Sequence, residues 1–289
     1  MSSPMLERLV AVACDQDCQA LASLMDQQQL TPEQVHSLRV LIKRQRALWQ
    51  LMSTQGESKR AQKQDKALRA GARLLAASRD RQVTEETLAT LKQTTRRDYE
   101  LEALERVMAW LAEEQSDPVA PPVPEALPLV FQEDLDAWQA LKRKGEDQDV
   151  IRKGYVTLYR QLRQQALETL SEGKDEDWHR LRRDVKYLLY QLEPLGGTLA
   201  DAEVDIKRIR KLGSQLGDLH DLHMLGDQLK RRLKKTGDAE LREALVCVRQ
   251  LAARREERVM TECRQRTRRV FELKPKMLRQ ALEQLALPI

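Results

Sequence analysis

Aromatic residues make up only 4% of this 289-residue chain: two phenylalanines, five tyrosines and four tryptophans. Runs of β-branched residues are scarce as well, which argues against a sheet-based fold. So few aromatic faces also leave little surface on which single-stranded bases could stack, and no groove-reading motif appears, so a nucleic-acid binder is the weaker alternative. The 11 glycines form no phosphate-cradling loop, which removes a P-loop or dinucleotide fold. Cys14, Cys18, Cys247 and Cys263 lack finger or ribbon spacing. Cys14 and Cys18 lie one helical turn apart with no companion ligands, so packing on helix faces in a reduced cytosolic setting is the simpler expectation. No apolar run approaches the roughly 18 residues that a membrane span needs. The stretch Leu9–Cys14 is too short for a leader, and Glu7 and Arg8 stand where one would be basic, so it reads as part of a first helix.

What the chain has is charge set on a helical period. Charged residues account for 33% and hydrophobic ones for 41%, enough for amphipathic helices around a sizeable core. The net charge of +5, with a pI near 9.0, allows strongly basic faces if the signs are segregated. One pattern occurs twice. His36, Leu38, Arg39, Ile42 and Lys43 are matched at identical spacing by His179, Leu181, Arg182, Val185 and Lys186. Offsets of three, four and seven put His, Arg and Lys within about 60° of one helical face. Beside them runs an apolar arc of Leu38, Ile42 and Trp49, or of Leu181, Val185 and Leu192. Each copy is therefore a helix with one stripe for a core and a basic stripe next to it.

Along the chain, a first helix is expected from Met5 to about Gln29. Thr31, Pro32 and Gln34 form a helix-start signal with a capping box, opening a second helix to about Thr54. A third helix carries Lys66, Arg69 and Arg73, and Thr84-Glu85-Glu86 reads as the start of another, helical to about Gln115. Five of the ten prolines then fall within residues 117–128, which predicts an extended linker and a domain boundary between 1–116 and 129–289. Beyond it, helices are expected over about 129–144, 149–170, the second His-Leu-Arg segment up to Pro194, a segment with Lys207, Arg210 and Lys211, and a long C-terminal helix from Asp238 broken near Pro275.

The halves correspond further. His36 aligns with His179 at an offset of 143, while Lys66, Arg69 and Asp80 align with Lys207, Arg210 and Asp221 at 141. An internal duplication of a helical unit follows. A pseudo-two-fold arrangement would let both basic stripes face one cleft. The row His36, Arg39, Lys43 and Arg46, with Arg44 continuing it, extends roughly 15 Å. Such a row suits a linear polyanion better than one small phosphate. A metal-dependent phosphohydrolase of the HD type, using His179, His220, Asp221 and His223, is the alternative. Against it, Arg79-Asp80 occupies the place of His220-Asp221 in the first half, and Arg ligates no metal.

The repeated His-x-Leu-Arg-x-x-aliphatic-Lys helix, the Arg79-Asp80 turn and Leu216-Gly217-Asp218-Leu219-His220-Asp221-Leu222 together resemble the CHAD domain family, the conserved histidine α-helical domain. This resemblance covers nearly the whole chain. It implies an all-α fold of two four-helix bundles related by pseudo-two-fold symmetry, with a basic central cavity that binds inorganic polyphosphate without catalysis, in the cytoplasm and in association with polyphosphate granules. No cofactor and no metal is implied. The binding surface would fall on His36, Arg39, Lys43, Arg44 and Arg46 and on His179, Arg182, Lys186 and Tyr190. Lys66, Arg69, Arg73, Arg79, Lys207, Arg210 and Lys211 would form its other wall. Tyr187 and Leu189 stand where relatives carry further cations, which predicts a weaker second stripe. The Glu-x-Glu-x-Lys signature of the triphosphate-tunnel hydrolases fused to some relatives is absent.

Overall fold

A computed structural model describes residues 4–54, 56–75, 79–113, 122–141, 148–195 and 205–284. The described residues are helical with no named strand: α1 (Pro4–Leu24), α2 (Pro32–Ser53), α3 (Ser58–Leu74), α4 (Arg79–Thr94), α5 (Asp98–Glu113), α6 (Ala126–Gln139), α7 (Gln148–Glu172), α8 (Asp175–Leu192), α9 (Ile206–Leu233), α10 (Ala239–Val270) and α11 (Pro275–Glu283). The chain is all-α, and no helix among the described residues is long and apolar enough to cross a membrane.

Local chemistry sets several of these bounds. At α2 the expected capping box is formed: Gln34 N–H donates to Thr31 Oγ1 at 3.2 Å, and Thr31 N–H donates to Gln34 Oε1 at 2.8 Å. Asp205 and Asp238 accept from the first turns of α9 and α10 in the same manner. Other bounds differ from the sequence expectation. Helix α4 already begins at Arg79, so Thr84 lies inside it, and its hydroxyl meets Gln228 Oε1 on α9 at 2.9 Å instead of capping. The helical stretch expected to run to Gln115 is interrupted at Thr95. There the Thr94 and Thr95 hydroxyls donate to Leu91 O at 3.1 and 2.8 Å, taking over a carbonyl at the helix end. Pro128, assigned to the extended linker, sits in the first turn of α6, where its missing N–H costs no helical bond. The segment with Lys207, Arg210 and Lys211 belongs to one continuous helix from Ile206 to Leu233.

Helix α2 packs on α1, α3 and α8, while α9 packs on α8, α10 and α4. Although α6 follows the proline-rich segment, it lies along α1 and α3, and Val123 N–H pairs back to Gln28 O at 3.1 Å. A buried polar network joins α6 to the basic helix α2. Trp49 and Trp138 stack with centroids 4.0 Å apart. Trp49 Nε1 donates to Asp134 Oδ1 at 2.8 Å, Trp138 Nε1 to Gln45 Oε1 at 2.9 Å, and Gln45 Nε2 to Ala13 O at 2.7 Å. Beside it the fully buried Asp17 carboxyl has no hydrogen bond of good geometry. Burial, then the neighbouring Asp134, pushes its pKa up to about 9; burial raises Asp134 to about 7, against the tryptophan N–H bonds that lower it. The helices α2 and α8 are joined by Gln191, whose amide donates to Ala47 O at 2.9 Å and Gln50 Oε1 at 3.1 Å, while Tyr155 Oη donates to Gln191 O at 2.6 Å.

Candidate functional site

The register of α2 against α8 fixes where the two basic rows lie. Arg44 lies by Tyr190 and Glu193, Arg46 by Tyr187, and the Trp49–Ser53 end of α2 shares a cavity with Arg183 and Asp184. Rising numbers on α2 thus meet falling numbers on α8, so the helices run antiparallel past each other. The rows therefore meet at one place, around Arg44, Arg46, Ala47, Tyr187 and Tyr190. His36 and His179 lie at the outer ends, each 11 residues, or about 16 Å, from Ala47 or Tyr190. Both are exposed.

Between joint and ends, each row runs beside a neighbouring helix of its own half. Arg39 is half-buried, and its Nη1 donates to Ala72 O and Leu75 O, both at 3.0 Å, satisfying carbonyls at the end of α3. Lys186 and Arg182 lie over the small surface that Gly213 and Gly217 give to α9; a Cβ at Gly213 would stand 3.7 Å from Lys186 Cε, and one at Gly217 3.9 Å from Arg182 Nε. Lys66, Arg69 and Arg73 share an exposed face of α3, and Lys207, Arg210 and Lys211 are exposed on the first turns of α9. Arg79 opens α4, but the side chains of residues 76–82, Arg79 and Asp80 included, lie outside the described residues.

Two carboxylates hold the joint. Asp65 bridges Arg46 Nε at 2.8 Å and Arg69 Nε at 2.7 Å, and Glu193 bridges Arg44 Nη2 at 3.4 Å and Arg210 Nη2 at 3.1 Å. Read along one helix the basic row has few acidic partners; in three dimensions its central arginines have them, supplied by α3 and the turn after α8. Tyr190, expected as a binding residue, is buried with the Arg44 guanidinium 5.5 Å above its ring. Tyr187 carries Arg46 in the same way at 5.7 Å, so the tyrosines of the second row seat the cations of the first. Burial raises the Tyr187 phenol, with Arg46 opposing and Asp65 adding to the rise.

Asp65, Glu193, Arg183 and Tyr187 were not singled out from the sequence as binding groups. Tyr187 was noted there only as the loss of a cation, and Asp65 stands one turn before Arg69. At the joint Asp65, Arg183 and Tyr187 border a cavity of about 270 Å³ that is also lined by Arg46, Arg69 and Asp184, among others.

A second cavity, of about 300 Å³, lies at the start of α8. It gathers three of the four histidines of the chain over an apolar floor of Trp178, Leu216, Leu219 and Met260. His179 Nδ1 and His220 Nδ1 are 3.1 Å apart, so one must donate to the other. His223 Nδ1 lies 3.4 Å from Glu256 Oε1 and 3.9 Å from Asp175 Oδ2. Partial burial, then Arg182 and Arg183, lowers the His179 pKa. Among the described residues no three His, Cys, Asp or Glu side chains converge as a metal site, so the geometry that the HD-type alternative requires is not found in them.

No curated protein matches the chain. The family model of the CHAD domain matches residues 16–230, which takes in α2, α3, α8, nearly all of α9 and both copies of the His-Leu-Arg pattern. By its repeated basic helices and by this match across most of its length, the chain belongs to the CHAD domain family.

Proposed function

We propose that the protein binds inorganic polyphosphate along the two basic rows, without a chemical step, and that it does so where the polymer accumulates, at cytoplasmic granules. The observation that carries this reading is the meeting of the rows at the α2–α8 joint. Lys43 and Lys186 flank the joint on either side, Arg44, Arg46, Arg69 and Arg210 cluster at it, and His36 and His179 mark the ends of a track at most about 33 Å long. A flexible polymer with an anionic group on every unit can follow such a track, meeting successive cations through charge-assisted hydrogen bonds. A single phosphate gains from only one part of it. Binding should weaken steeply with salt, since each neutralised phosphate releases counterions.

Competition tests this directly. Labelled long-chain polyphosphate is bound to the full chain and challenged with duplex DNA, RNA and orthophosphate at fixed ionic strength. The reading expects displacement by unlabelled polyphosphate at the lowest concentration, and weaker binding in Lys43→Glu and in Lys186→Glu. Equal displacement by every polyanion, or full affinity in both variants, would overturn it. Lys43 and Lys186 are better probes than Arg39, whose reversal would also strip the end of α3.

A further inference from the structure

The cavity at the joint of α2, α3 and α8 has the composition of a binding site and an occupant of its own. Three guanidinium groups border it, from Arg46 on α2, Arg69 on α3 and Arg183 on α8. Two of them are held by the Asp65 carboxylate, at 2.8 and 2.7 Å. Arg183 pairs with its neighbour Asp184 at 2.7 Å and lies close enough to Asp65 to feel its charge. The fourth group is the Tyr187 hydroxyl. Tyr187 is only 8% exposed, yet its Oη has no hydrogen-bond partner, although buried hydroxyls are nearly always satisfied. An unsatisfied donor beside three arginines calls for an acceptor with several oxygens. A volume of about 270 Å³ is that of about nine waters at ~30 Å³ each, room for a phosphate group and part of its neighbour.

We infer that this cavity is a discrete phosphate subsite whose threshold is set by Asp65: an entering phosphate takes over Arg46 and Arg69 from the carboxylate and accepts from Tyr187 Oη and Arg183. The inference rests on the polyphosphate reading and adds to it a place and a selection device. A phosphate that arrives alone must displace Asp65 unaided, whereas one linked to units already held on the rows arrives at high effective concentration. Asp65 thus favours long chains over short ones. Glu193 is the internal comparison, since it also bridges two arginines, Arg44 and Arg210, but lines none of the cavities described above.

The test is calorimetric titration of the full chain with sodium tripolyphosphate and with long-chain polyphosphate. Asp65→Asn keeps the side-chain shape and removes the competing charge, so it should bind tripolyphosphate about fivefold more tightly, the scale of one partly exposed ion pair. Its preference for long chains over tripolyphosphate should narrow by a similar factor, while Glu193→Gln should change tripolyphosphate binding by less than about twofold. Tyr187→Phe, which deletes one oxygen, should weaken tripolyphosphate binding severalfold. Unchanged or weaker binding in a folded Asp65→Asn overturns the inference. If Asp65→Asn fails to fold, Tyr187→Phe decides, and undiminished tripolyphosphate affinity in it overturns the subsite. Wild-type protein that binds neither probe sinks the polyphosphate reading itself. Wild-type protein that binds long chains with no response to Asp65→Asn or Tyr187→Phe sinks the subsite alone.

Discussion

The two halves carry the same basic pattern and put it to different use. In the first, α3 ends at Leu74 and α4 starts at Arg79, so the chain offers free carbonyls beside α2, and Arg39 turns inward to satisfy two of them. In the second, α9 runs unbroken from Ile206 to Leu233. The residues that align with Ala72 and Leu75 at the offset of 141 are Gly213 and Leu216, in mid-helix, where carbonyls are already bonded. Arg182 accordingly lies over Gly217 rather than at a helix end. Identical sequence spacing therefore sets an arginine against open helix-end carbonyls in one half and against the glycine-lined side of a continuous helix in the other, and the deciding element is a neighbouring helix outside the motif.

The largest separation between the halves should come from the core. Among the described residues, all three buried carboxylates, Asp17, Glu100 and Asp134, precede residue 135, and Asp134 is held by the Trp49–Trp138 stack. Trp138→Ala should cost about 3–5 kcal/mol in urea denaturation. Should it cost no more than an exposed substitution, α6 does not hold α2 in place. Next in size is a pH effect. The folded chain keeps Asp17 protonated up to about pH 9, whereas the unfolded chain releases that proton near 3.8. Between those values the folded state holds the Asp17 proton that the unfolded state has lost, so this group makes stability fall as pH rises, by at most about 1.4 kcal/mol per unit on its own account. Asp17→Asn should make the profile shallower between about pH 5 and 8, with Asp134 supplying what remains; an unchanged slope would place the titration elsewhere.

How much of this was readable in advance varied with the range of the interaction. Capping at Thr31, the helix start at Asp238, the break near Pro275 and the apolar arc of α2 depend on nearby residues, and they stand where the sequence put them. The break at Thr95 has no proline or glycine to announce it, and it comes from hydroxyls that also occur inside helices. Pro128 misled in the opposite direction, because a first-turn proline resembles a linker proline in sequence. At the site, the helical faces were legible from periodicity. The partners of the arginines were not: Asp65 reaches Arg46 from 19 residues away, and Glu193 reaches Arg44 only because α8 crosses α2. Tyr187, taken as the loss of a cation, lies beneath Arg46.

Smaller effects sharpen the comparison of the two arginines. Arg39→Ala, which strands two carbonyls at the end of α3, should lower stability by about 1–2 kcal/mol and loosen that helix end, whereas Arg182→Ala strands no helix-end carbonyl. A loss below about 0.5 kcal/mol for Arg39→Ala in thermal unfolding would remove the capping role drawn for it. His179 gives the mildest signal. Its folded pKa is lowered, first by burial and then by Arg182 and Arg183, so the unfolded chain takes up the proton first as pH falls through 6.5. Protonation should thus destabilise the free protein slightly while strengthening polyphosphate binding, visible as an affinity that rises as the pH falls below 6.5. His179→Gln should reduce that rise.

The central claim is that the two rows act as one track across the α2–α8 joint. The most direct measurement is the salt dependence of long-chain polyphosphate affinity for wild type, Lys43→Glu, Lys186→Glu and the double variant. One track predicts that each reversal weakens binding, that each lowers the slope of log affinity against log salt by about one or more, and that the double variant loses at least the sum. A reversal in one half that leaves both affinity and slope at wild-type values would show that the polymer is held by a single row, contradicting the account.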